Sequence, residues 1–233
     1  MLLALLGVAA ATLRTIFPAD AAARVEPVRT RLFERLHLVD PFADERPAEL
    51  ARSEGRYAPH PWLIVTHSVA GGLFLLAAPF QFSRRIRRDH LRWHRWSGRV
   101  LLLLGFPFVL TALYFGVLIP YGGPLEALLV AIIGALFLTS ATRAWLAIRR
   151  RDIARHREWM LRMFASAISI STVRAVAVPL DLALTVAGLH IRTIFVITLW
   201  AGWILTLGAA ELWIRRTRRR TSHVAPAPLP SPP

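Results

Sequence analysis

Cysteine is absent from the 233-residue chain. Its absence removes disulfides, zinc–thiolate sites, iron–sulfur clusters and thiol catalysis, and leaves the redox compartment open. Lysine is absent too, so every permanently basic side chain is arginine. Acids are scarce: 14 Asp and Glu stand against 29 basic residues, for a formal net charge of +15. Such an excess can mark a nucleic-acid binder, but there the charge lines one face of a soluble domain. Here the arginines sit in short clusters between apolar runs, the pattern of cytoplasmic loops, and no nucleic-acid partner is expected. Also missing are a phosphate loop, a dinucleotide glycine fingerprint, His-Glu-x-x-His and a paired-carboxylate site within the apolar runs.

What is present is hydrocarbon. The chain is 55% hydrophobic, too apolar for a soluble domain of this length. A bilayer core about 30 Å thick takes roughly 20 apolar residues in a helix. Five stretches qualify: Pro61 to Phe82, Gly98 to Ile119, Leu125 to Ile148, Trp159 to Val178 and Ile191 to Ile214. They are too long for strands and lack period-two alternation. The expected fold is an all-α polytopic transmembrane helix bundle over residues 61–214, with Pro179 kinking or ending its helix. Met1 to Phe17 reads as a sixth helix, uncleaved, because no basic region precedes it as a secretory signal requires. Residues 18–60 form a polar, charge-balanced segment. Around Val28 to Leu38 it reads either as an amphipathic helix on the membrane or as a solvated linker. Residues 215–233 read as a basic, Pro-rich tail, disordered from Ala225.

Orientation follows from the arginines. One loop carries Arg84, Arg85, Arg87, Arg88, Arg92 and Arg95. A second carries Arg149, Arg150, Arg151, Arg155 and Arg157, and the tail carries Arg215, Arg216, Arg218, Arg219 and Arg220. The alternate short connections hold only Arg192. The positive-inside rule therefore puts both termini in the cytoplasm and segment 18–60 outside a cell inner membrane. The bilayer is the first partner, and the basic rim suits anionic lipid head groups.

Ionisable groups at membrane depth are expensive and mark either a pairing or a function. Towards the outer face lie His67, Tyr114, Arg174 and Asp181. Arg174 and Asp181 read as an ion pair, or Arg174 as a snorkelling or ligand-binding group. Towards the inner face lie His94, Arg95, Arg99, Arg143, His156, Arg157, Arg162 and Glu211. Trp and Arg there serve as interfacial anchors; the sharper reading is that His94 and His156, on different helices at one depth, converge. Gly71 and Gly98 follow His67 and His94 at i+4, on the same helix face. Each glycine leaves room for a flat ligand such as haem, or for a neighbouring helix. Ser166, Ser169, Ser171 and Thr172 form a polar stripe expected to bond to a neighbouring helix.

Several strings carry a family likeness: HSVAGGLFLLAAPFQF (67–82), HRWSGRV (94–100), ATRAWLAIRRRDIARHREWMLRMFA (141–165), Val173-Arg174, and Trp203 to Glu211. The chain resembles, over residues 61–214, a bacterial family of predicted membrane proteins known as domain of unknown function 2306. The resemblance singles out His67, Gln81, His94, Arg95, Gly98, Arg99, Arg143, His156, Arg157, Trp159, Met160, Arg162, Arg174 and Glu211. Leu101 departs from it, standing where the family usually has tyrosine. More loosely, the layout is similar to cytochromes of the b561 type, which implies a four-helix core with haem-ligating histidines near helix ends; such a likeness does not establish function.

Three functions fit these residues. The first is membrane electron transfer with b-type haem, its iron held by His94 and His156. Arg95, Arg99, Arg143 or Arg162 would meet its propionates, with a redox partner or a second copy of the chain beside it. An outer site would need His67 and Arg174, but His67 lacks a clear intramembrane partner; only His60 and His190, in outer loops or helix ends, offer themselves. The second is a non-redox module, a small transporter or partner-binding subunit, with Pro179 and Gly188 bounding a broken helix. The third is an intramembrane enzyme acting on a lipid or quinone, with His94 or His156 as base.

Overall fold

A computed structural model describes residues 30–31 and 33–222, without the side chains of Arg174, Val178 and 219–222. The sixth helix expected at Met1 to Phe17 and the tail from Ala225 lie outside the described residues. Seven α-helices make up most of the rest. They are α1 (Arg46–Tyr57), α2 (Pro61–Gln81), α3 (Arg84–Asp89), α4 (Leu91–Leu113), α5 (Pro124–Arg149), α6 (Ile153–Val186) and α7 (Ile191–Ser222). A π-helical turn, Tyr114–Leu118, extends α4. No strand occurs among the described residues.

Local chemistry sets the helix starts. Pro61 and Pro124 open α2 and α5, positions where a missing N–H forfeits no intrahelical bond. Gly123 before α5 has φ +78°, a backbone that glycine adopts without a steric penalty. Asp152 caps α6 by accepting from Arg155 N at 3.0 Å, and Ser83 caps α3 through Ile86 N.

Among the described residues, five helices are long and apolar enough to cross a membrane. Only 28–39% of each span is buried inside the bundle. The remainder is apolar and turned outward: Leu103 is 72% exposed, Ile204 62%. Helices apolar all round belong in lipid. Two spans begin earlier than hydropathy suggests, at Leu91 and Ile153, because their polar first turns are still helical. Pro179 does not end its helix; α6 runs through it to Val186. Likewise α7 continues through the arginine cluster to Ser222, arginine being a strong helix former.

α6 lies between α5 and α7, while α2 packs on α4. The two groups meet over Phe74, Leu101, Phe137 and Met163, all buried. A second cluster, Leu129, Ile133, Val173 and Leu199, joins α5, α6 and α7. The serine stripe on α6 turns mostly inward upon its own helix: Ser166 donates to Arg162 O and Ser169 to Ala165 O. A hydroxyl one turn above a carbonyl finds it before it finds another helix. Only Thr172 bonds across, accepting from Thr206 at 2.7 Å.

The described part of segment 18–60 is docked, not free. Arg46, 7% exposed, donates to Asp40 at 2.9 Å, to Thr185 at 3.0 Å and to Asp181 at 3.4 Å. Asp181 was expected to meet Arg174, whose side chain lies outside the described residues. Glu49, 4% exposed, accepts from Arg192 at 2.9 Å, from Tyr121 Oη at 3.2 Å and from Arg52. Removing one partner of a buried pair leaves the other charge uncompensated.

Glu49 also sets an acid limit. The Arg192 hydrogen bond, aided by Arg52 and Tyr121, outweighs burial and pulls its pKa from 4.5 to about 2. A carboxylate with a depressed folded pKa stabilises the docked state fully above about pH 4.5. That contribution is lost as pH falls towards 2. Exchange protection of α1 amides is expected to decline through that window. In Glu49→Gln it is expected to be low already at pH 7; a flat profile in both proteins would contradict the latch.

Candidate functional site

The helix starts carry the predicted inner cluster. His94 sits in the first turn of α4 and His156 in the first turn of α6. His156 Nδ1 lies 2.9 Å from Ala144 O of α5. A carbonyl only accepts, so Nδ1 carries the hydrogen and Nε2 keeps its lone pair in the neutral ring. His94 Nδ1 is buried without a hydrogen-bond partner among the described residues.

The four guanidiniums expected around them divide. Arg162 is committed: its Nε reaches Glu211 Oε1 at 2.5 Å and its Nη2 reaches Oε2 at 3.0 Å. It also lies 4.6 Å from the Trp159 ring centre, and Arg143 lies 4.8 Å from the same ring. Two cations on one indole make Trp159 a staple between α5 and α6, which Arg162 extends to α7 through Glu211. Arg95 and Arg99 are exposed, with no ion pair among the described residues, and remain available to an anion. Arg157 is exposed, and Met160 packs against the core.

The glycine slots are filled by protein. A Cβ at Gly98 would lie 3.2 Å from Gln81 Oε1. Gln81, 8% exposed, donates through Nε2 to Ser97 Oγ at 2.7 Å. A Cβ at Gly71 would lie 2.6 Å from Phe108. His67 belongs to that other neighbourhood: its Nδ1 is 3.0 Å from Thr111 Oγ1 and 3.2 Å from Phe108 O. Its ring stacks near Phe108 with centroids 4.9 Å apart. Arg174 lies in α6, its side chain outside the described residues. His60 meets Tyr114 Oη at 3.5 Å, and His190 approaches Glu45 at 3.7 Å.

Sequence reasoning missed the opposite end. Arg46, Glu49 and Tyr121 build its ion network, and buried Glu126 accepts from Gly122 N at 2.5 Å. Scarcity of acids was the available signal: in a chain this basic, a carboxylate beside an apolar run has a partner to find.

Among the described residues no group of three or more metal-ligating side chains occurs. The helix starts expected to form the inner cluster carry two imidazoles and, in Arg95 and Arg99, two exposed guanidiniums without an ion pair among the described residues. No curated protein and no solved structure matches the chain. A family model described as Predicted membrane protein (DUF2306) does match, over residues 64–214. Helices, spans and that match agree, and the chain belongs to this family of predicted membrane proteins.

Proposed function

We propose that the protein holds a b-type haem between His94 and His156 at its cytoplasmic face and serves membrane electron transfer. Two observations support this reading: His156 is oriented by Ala144 O, and His94 Nδ1 is buried without a hydrogen-bond partner among the described residues. The donor chemistry fits, since a haem brings four nitrogens of its own and asks the protein for two axial ligands. Bound there, it would supply a one-electron couple. The chain supplies the rest. The Ala144 carbonyl fixes the His156 tautomer and makes Nε2 a stronger donor. Arg95 and Arg99 offer charge-assisted bonds to propionates. Arg143 and Arg162, already spent on Trp159 and Glu211, hold the surrounding helices in register.

A second reading rests on Gln81, which occupies the slot beside Gly98. With protein there, Arg95 and Arg99 serve anionic lipid head groups, and the chain is a non-redox transporter or partner-binding subunit. The unbroken α6 speaks against the broken-helix form of a transporter.

The visible spectrum of the detergent-purified protein separates the two. The expected result is a Soret band in the parent, reduced at least tenfold per protein in His94→Ala and in His156→Ala, and unchanged in His67→Ala. A parent that stays colourless after expression with ample haem removes the first reading and leaves the second.

A further inference from the structure

A cleft of about 470 Å³ opens at the end of the bundle opposite the histidine cluster, where α1, the turn before α5 and the start of α7 meet. That size is within the range of small-ligand sites. Arg56 of α1 and Arg192 of α7 both line it; the neighbouring acids are already engaged, Glu126 by Gly122 N and Glu49 by Arg192. Both guanidiniums have donors to spare. Arg56 gives one bond, from Nη1 to Pro120 O at 2.6 Å. Arg192 meets Glu49 through Nε and Nη2 only. A guanidinium has five N–H donors, so each arginine has donors beyond those its described contacts use. Gly123 also lines the cleft, and an added Cβ there would touch nothing within 4 Å. Val117 and Ala127 give it an apolar wall.

We infer that this cleft is a binding site for a phosphoryl anion, held between Arg56 and Arg192 with an apolar portion against Val117 and Ala127. Two guanidiniums arriving from different elements suit a tetrahedral group with several acceptor oxygens better than a planar carboxylate. The start of α5 is already occupied by Glu126, which accepts from Gly122 N, so the anion's contacts come from the two arginines. A phospholipid head group and a soluble organophosphate share this chemistry. The site is independent of the haem reading, since none of its residues approaches His94 or His156.

Calorimetric titration of the full chain in dodecyl maltoside tests the inference, with inorganic phosphate, dihexanoyl phosphatidylglycerol and acetate as probes. Saturable binding of phosphate or the lipid is expected, weakened at least tenfold in Arg56→Gln and unchanged in Arg85→Gln at the other end. Ala127→Phe, which fills the cleft and leaves every charge in place, is expected to abolish it. Tighter binding of the lipid identifies a head-group site, and tighter binding of phosphate a soluble ligand. No saturable binding, acetate binding as tightly as phosphate, or titrations that are the same in the parent, Arg56→Gln and Ala127→Phe overturns the proposal.

Discussion

Gly202→Ala is expected to destabilise the bundle by about 3 kcal/mol, the upper part of the range for overpacking. A Cβ at Gly202 would sit 2.5 Å from Val173 Cγ2 and 2.7 Å from Val173 Cα and N. A side-chain clash can be relieved by a rotamer; a clash with backbone demands that α6 and α7 separate. Lipid adds no hydrophobic force to hold them, so van der Waals contact at small residues carries the association. Gly208, on the same helix, is the internal control, because a Cβ there meets nothing within 4 Å. Gly208→Ala is expected to be neutral or stabilising by up to about 1 kcal/mol, the helix-propensity difference. Denaturation in mixed micelles reads both. Equal midpoints for the two variants would show that α6 and α7 do not approach at Gly202.

Glu211→Ala is expected to be the other large loss, again about 3 kcal/mol. It strips the bidentate partner from Arg162, whose side chain is 15% exposed within the bundle. A guanidinium left in a span without its carboxylate costs about 2.5–3.5 kcal/mol on insertion scales. The pair itself is worth less than its breakage suggests, because Arg162 is largely desolvated in it while the Glu211 side chain stays 39% exposed. Arg162→Met combined with Glu211→Leu is therefore expected to recover most of the stability lost by Glu211→Ala. A double variant as weak as the single one would mean that the contact with Trp159, and not the charge pair, holds this end together.

The spans were legible because twenty apolar residues in a row admit one solution in lipid. Their ends were less so: Leu91 and Ile153 open on polar turns that hydropathy counts as loop, although nothing in His94-Arg95-Trp96 or His156-Arg157-Glu158 opposes a helix. Pro179 carried a local signal that the surrounding helix overrode. At the site, sequence position alone put His94 and His156 near the starts of two helices, which is where they lie. Which side chain enters the space at Gly98 or Gly71 depends on rotation and register between helices, and Gln81 and Phe108 carry no mark of it. Arg162 and Glu211 both stood in the inner census, yet only their packing joins them. Arg46 and Glu49 were illegible for a related reason: in a charge-balanced segment, no periodicity says which charges will be covered.

α6 has 34 residues, and at 1.5 Å per residue it is about 51 Å long. The hydrocarbon layer is only about 30 Å thick, so this one helix stands proud of it on both sides. His156 rides near one tip; Asp181 and Thr185, which grip Arg46, ride near the other. The helix is thus an axle through the membrane. A rigid-body tilt of α6 would move His156 and the contact with Arg46 together.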